Sequence, residues 1–254
     1  MAKQNYIKRV LAGTFALIMV AGYLPGKINK DGSLCITASA ETLSGVIDDI
    51  NWEFTDDGTL TLSPGKSTEI SGRFCTDLHD NDLINVEKIE KVVFKNGITK
   101  IDEAAFGDSN IDTSNIKEAD FSECTTLESI GDAAFEVTNI STFDFSACKS
   151  LKTLNMVSLA SNNLSEVRLG ISDPSDIEID ETAFGFDSSN DVKIVVPYGS
   201  ADAWAIVNGS LGSNTIDNIW GAKSVTFKDA TIAGVHKNVN WEFDRVGNGW
   251  GSRH

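Results

Sequence analysis

The sequence predicts a β-rich solenoid of about four to five stacked coils, with parallel strands, irregular or short helical returns, and a small β-hairpin cap at its N-terminal end. Three observations carry that prediction. An apolar strand-like pattern recurs at a 24-residue offset in the middle of the chain. An Ala-Phe phrase recurs in step with it. Just upstream, an acidic turn closed by glycine separates two short alternating stretches.

Residues 1–40 read as a secretory signal peptide. Lys3, Lys8 and Arg9 form a basic patch, an apolar run extends from Val10 to Leu24, and Ala38-Ser39-Ala40 supplies a small-x-small cleavage signal. An uncleaved N-terminal anchor is the alternative, because the run is only just too short to span a bilayer comfortably. Leu34 occupies the small-residue position before Cys35, so the segment does not read as a lipoprotein signal.

Residues 41–86 read as a β-rich cap. Asp56-Asp57-Gly58 lies between Trp52-Glu53-Phe54 and Leu60-Thr61-Leu62, and glycine there supplies the positive φ that a hairpin turn needs. A stacked array requires such a cap, since its end coil would otherwise expose core.

Residues 87–204 carry the repeat. Ile116-x-x-Ala119-x-Phe121-x-x-Cys124-x-x-Leu127-x-x-Ile130 is followed 24 residues later by Ile140-x-x-Phe143-x-Phe145-x-x-Cys148-x-x-Leu151-x-x-Leu154. Ile89, Val92 and Phe94 hold the same spacing upstream, as do Leu164, Val167 and Leu169 and then Ile194 and Val196 downstream. Alternation within each copy gives a strand with one buried face. The Ala-Phe phrase (Asp102–Phe106, Gly131–Phe135, Asp180–Phe184, with Ser158-Leu159 replacing it once) marks the return of each coil. Unrelated strands in a sandwich would not keep this register.

These phrases bear a family likeness. "Ile-Gly-Asp-Ala-Ala-Phe" and "Phe-Ser-x-Cys-x-x-Leu" resemble the BspA-like leucine-rich repeat family of bacterial surface proteins, and the fold expected is therefore a β-rich leucine-rich repeat solenoid. Val195–Trp204 is similar to the closing segment of that family's arrays, and Asn51–Leu62 to a β-rich lead-in found before them. The resemblance implies an extracellular or cell-surface protein engaged in adhesion or contact with a host or matrix. It also implies that Cys124 and Cys148 turn inward and satisfy loop backbone groups. A disulfide between them stays conceivable, because they occupy the same position in consecutive coils.

Residues 205–254 form a C-terminal segment that reads as a second module cut short. Gly234-Val-His-Lys-Asn-Val-Asn-Trp-Glu-Phe243 echoes Gly45-Val-Ile-Asp-Asp-Ile-Asn-Trp-Glu-Phe54, then runs out in Gly247–His254. A half-hairpin is not stable alone, so poor order is expected from about residue 230 onward.

Charge narrows the function. The chain carries a formal net charge of −16. Removal of residues 1–40 leaves 16 Lys+Arg against 36 Asp+Glu. Such a surface repels phosphate backbones, so no nucleic acid partner and, after cleavage of the signal, no membrane insertion are expected. The three cysteines left in the mature chain, Cys75, Cys124 and Cys148, are too few and odd in number for a disulfide scaffold.

Catalysis and metal binding find no support. No G-x-S-x-G elbow or Cys/His pairing is present. Asp77–Asp82 is an acidic turn without the glycine or closing glutamate of an EF-hand loop, and it reads as a solvated loop. No catalytic residue, metal ligand or cofactor is assigned, and the chain is expected to be a monomer and not an enzyme.

The outward strand positions give the one candidate site. In register they are Val93, Asp120, Asp144, Arg168 and Val195, flanked by Lys91, Glu118, Thr142, Glu166 and Lys193. Asp120 and Asp144 stand side by side, which is unfavourable for like charges, and Arg168 is placed to offset one of them. The site expected to bind is therefore Asp120, Asp144, Arg168, Glu118, Glu166 and Lys193, and the competing reading is a solvated face whose charges are screened. The function expected is a secreted or cell-surface interaction module for protein or glycan. The alternatives are a structural spacer of a larger surface protein and an accessory domain of a secreted hydrolase.

Overall fold

The computed structural model describes residues 26–28, 34–36, 42–186, 189–209, 213–236, 239–246 and 249–253, with the backbone alone for 26–28, 34–36 and 232–253. The basic patch, the apolar run and the Ala38–Ala40 cleavage signal lie outside the described residues. Two short strands, β1 (Gly26–Ile28) and β2 (Leu34–Ile36), pair antiparallel.

The cap folds as a meander of β3 (Thr42–Ile47), β4 (Ile50–Thr55) and β5 (Thr59–Pro64). Alternation puts Ile50, Trp52 and Phe54 of β4, with Leu60 and Leu62 of β5, on one buried face. The β4–β5 turn is closed as expected. Gly58 has φ 83°, its N–H donates to Thr55 O at 3.0 Å, and the Asp57 carboxylate accepts from Thr59 N–H at 3.1 Å.

From β5 onward the pairing turns parallel, and the coils begin. The short strand β6 (Glu69–Ile70) and helix α1 (Phe74–Asp80) lead into β7 (Lys91–Phe94) and β8 (Lys100–Ile101). The next coils follow as β9 (Glu118–Asp120) with β10 (Ser129–Ile130), and β11 (Thr142–Phe145) with β12 (Thr153–Leu154). Then come β13 (Glu166–Leu169) with β14 (Glu178–Ile179), and β15 (Asp191–Val196). The longer strands stack on one side and the two-residue strands β6-β8-β10-β12-β14 form a parallel sheet on the other. The molecule is thus a β-solenoid of about five turns with parallel strands and few helices.

The stacking places equivalent residues in interior columns. Phe94 and Phe121 stack at 4.4 Å between ring centroids, Phe121 and Phe145 follow at 4.8 Å, and Leu169 is the register partner of Phe145. All four are buried. On the return side Phe106 and Phe135 stack at 5.2 Å. Each buried phenylalanine contributes roughly 1.5–3 kcal/mol by transfer from water. No coil could gather that burial alone, because its rings are covered by the coils above and below.

A hydrogen-bond ladder also ties the returns together. Phe106 N–H donates to Ala134 O at 2.9 Å, Phe135 N–H to Ser158 O at 3.1 Å, and Leu159 N–H to Ala183 O at 2.9 Å. Ala104, Ala133 and Val157 hold left-handed φ values of 52°, 53° and 45° where each return bends.

The sheet continues past Trp204. Helix α2 (Ala201–Val207) is followed by β16 (Thr215–Ile219) and β17 (Ala222–Asp229), and β17 pairs parallel with β15 while β16 closes the edge antiparallel. Trp204, Trp220 and Phe227 cover the last coil. The Asp229 carboxylate caps α2, accepting from the N–H groups of Gly199 at 2.9 Å and Ala201 at 3.0 Å.

The C-terminal backbone differs from expectation. Instead of remaining a half-hairpin, β18 (Ile232–His236) and β19 (Val239–Val246) gain a third strand, β20 (Gly249–Arg253), from the tail that looked spent. Gly234 pairs with Trp241 as Gly45 pairs with Trp52, and Ala233 with Glu242 as Ser44 with Glu53. The echo in sequence is an echo in register.

Candidate binding surface

The outward face of the long strands is set by pleat. Val92 and Phe94, Phe143 and Phe145, and Val167 and Leu169 point inward, so the residues between them point out. The observed pairs are Lys91 with Glu118, Val93 with Asp120, Thr142 with Glu166, Asp144 with Arg168, Glu166 with Lys193, and Arg168 with Val195. All six residues of the predicted site share this face, in the predicted columns.

The structure shows how the Asp120–Asp144 conflict is resolved. Each aspartate has a cationic partner of its own. Lys91 Nζ lies 2.6 Å from Glu118 and 3.1 Å from Asp120, while Arg168 Nε lies 3.9 Å from Asp144 and 2.6 Å from Glu166. Lys193 also pairs with Glu166. Between the two groups, among the described residues, no ladder joins β9 to β11. The face therefore holds two clusters of paired charge, the first with one acid in excess and the second balanced, and not one acidic patch.

Titration follows the same contacts. Hydrogen bonds from Ser122, with further help from Lys91, hold the Asp120 carboxyl below the usual aspartate range, against a desolvation cost that pushes it up. The Lys91 ammonium is pushed above its ordinary value, chiefly by its bond to Glu118.

Sequence reasoning missed a second role for these aspartates. Asp120 accepts from the N–H and hydroxyl of Ser122 at 3.0 and 2.7 Å, and Asp144 accepts from Ser146 N–H at 2.9 Å. The same Asp-to-residue-plus-two turn recurs at Asp112, Asp173 and Asp180. Much of the acidity thus builds turns. The signal was present in Asp-Phe-Ser at 120–122 and again at 144–146. Also unnoticed was an asparagine column at 24-residue steps. Asn115 Nδ2 donates to Glu87 O at 2.8 Å, Asn139 to Ser114 O at 2.7 Å, and Asn163 to Asn139 Oδ1 at 3.1 Å.

The cysteines behave as the resemblance implied. Cys75, Cys124 and Cys148 are free and buried. Cys148 Sγ donates to Cys124 O at 3.0 Å and Cys124 Sγ to Ile98 O at 3.5 Å, so these two thiols each satisfy a carbonyl of the preceding coil. Burial pushes the Cys124 thiol up to about 11 and that of Cys148 up to about 12, which leaves both without thiolate character at neutral pH. The Asp77–Asp82 stretch is not a loop throughout: Asp77 to Asp80 lie in α1, where the buried Phe74 and Leu78 anchor a helical turn.

No curated protein and no solved structure matches the chain significantly. The model of the BspA type leucine rich repeat region matches residues 75–198 in six copies, over the coils just described. Residues 75–198, which form the stacked coils, are thus a BspA-type leucine rich repeat region.

Proposed function

We propose that the chain is a secreted or cell-surface interaction module, non-catalytic, which binds an extracellular protein or glycan through the outward face of its long strands. The observation that carries this reading is the column order of that face: parallel strands of two successive sheets present Glu118 and Asp120 on one and Asp144, Glu166, Arg168 and Lys193 on the other, all on the outward side of the pleat. Repeat solenoids commonly bind through such extended surfaces. The family match favours a surface or interaction role, and among the described residues no helix is long and apolar enough to cross a membrane. Because every acid of the face already has a cationic partner, the favoured ligand is a polar surface of mixed charge, not a free cation.

The test is a binding screen of the chain against extracellular matrix proteins and polysaccharides, with and without calcium. Saturable binding that is lost on Arg168→Glu with Lys193→Glu supports the reading. Silence across both panels, or binding indifferent to those changes, shifts the weight to a spacer of a larger surface protein. That second reading draws on the C-terminal hairpin, whose register repeats that of the cap. An accessory role beside a secreted hydrolase domain is the remaining alternative.

A further inference from the structure

The basic residues of the solenoid are unevenly placed. The return segments 102–107, 131–137, 155–161 and 180–186 contain no Lys or Arg, while Asp102, Glu103, Asp132, Glu136, Asp180 and Glu181 fall within them. On the strand side, lysine and arginine neutralise acids from coil to coil, as between Lys91 and Glu118 or Lys193 and Glu166. Among the described residues, Asp132, Glu136 and Glu181 have no ion-pair partner.

The same edge exposes apolar surface. Phe186 is 65% exposed and Met156 is 42% exposed, unusual values for large apolar side chains in a chain whose other phenylalanines within the array are buried. Phe186 stands between two clefts. One, of about 380 Å³, is lined by Glu136, Val137, Val157, Ala160 and Phe184 beside it. The other, of about 360 Å³, is lined by Glu181, Gly185 and Lys223, and that lysine is held by Asp191 at 3.1 Å.

We propose that this return edge is a docking surface for a basic amphipathic segment of a partner protein, with an apolar side chain of the partner entering the cleft beside Phe186 and its lysines or arginines meeting Glu136 and Glu181. Charge complementarity selects that occupant. An acidic or neutral apolar segment would leave the carboxylates facing like charge or none, and a purely basic one would leave Phe186 in water. The surface lies apart from the strand face and does not depend on the reading given for it.

The experiment titrates the full chain with a fluorescent synthetic peptide of lysine and leucine in helical amphipathic spacing. Two controls accompany it: a lysine/glycine peptide of equal charge and a glutamate/leucine peptide of equal apolarity. Expected is saturable binding of the lysine/leucine peptide alone, weakened at least about tenfold by Phe186→Ser and likewise by Glu136→Lys with Glu181→Lys. Thr142→Ala, a neutral change on the strand face, leaves it unchanged. Circular dichroism and the melting temperature verify that each exposed-site variant is folded. Equal binding of the lysine/glycine peptide, or affinity unmoved by Phe186→Ser in a folded chain, overturns the proposal.

Discussion

At the scale of single residues, the aspartates of this protein serve the backbone before they serve any ligand. Asp120 fills both of its oxygens internally, one with Ser122 and the other with Lys91. Replacing Asp120 with alanine therefore costs stability, by about 0.5–1.5 kcal/mol for the hydrogen bonds lost, measured as a lower midpoint in urea. The pH dependence has a definite sign. The carboxyl is held below its unfolded value, so its contribution is fully present above that value, near 4 for aspartate, and is lost as pH falls through the folded value. Asp120→Ala removes that contribution, and its stability accordingly declines less steeply than that of the parent chain as the solution is acidified below about pH 4. Sequence reading found where Asp120 points but not what it holds. Outward direction follows from pleat alone, whereas a hydrogen bond two residues on depends on the turn after the strand, which periodicity does not specify.

At the scale of elements, the strands were legible because alternation is a property of each segment by itself. Phe94, Phe121, Phe145 and Leu169 could be assigned to one interior column from spacing. The prediction that follows is specific: Phe121→Ala, between Phe94 at 4.4 Å and Phe145 at 4.8 Å, costs about 3–5 kcal/mol. Thr142→Ala, on the outward face of the neighbouring strand, stays within about 0.5 kcal/mol in the same denaturation measurement. Elements that depend on distant partners were harder to read. Helix α1 reads as a loop in the sequence because its acidic residues mask a short apolar anchor of Phe74, Cys75 and Leu78. Helix α2 has no cap in its own sequence that bonds its first turn; the cap is Asp229, far along the chain. The candidate site divides in the same way. Its columns were legible, and its split into two clusters of paired charge was not, because that split depends on which way flexible side chains reach.

At the scale of the whole molecule, stability is a sum over neighbours, and the repeat length is the natural unit of change. Excising residues 140–163, one complete 24-residue period, joins Asn139 to Leu164 and preserves both the strand column and the return ladder. That shortened chain is expected to fold with a parallel-sheet circular dichroism spectrum and a lower melting temperature. Excising half a period, residues 140–151, sets buried positions against turns and is expected to give no cooperative transition. Equal behaviour of the two deletions would contradict a solenoid held by register.

The absent ladder between β9 and β11 gives this rod a seam. Elsewhere the long strands bind their neighbours through a continuous backbone ladder; at that one junction cohesion rests on the Asn139 N–H bond to Ile116 O, on Cys148 Sγ bonded to Cys124 O, on the Phe121–Phe145 contact, and on the two-residue strands and return ladder behind them. A tether stretched along its axis tears first where the fewest bonds must break together. Under tension the molecule would give way at this fracture line, in two unequal pieces, and the piece bearing the cap would separate from the piece bearing Arg168 and Lys193 while each was still wound.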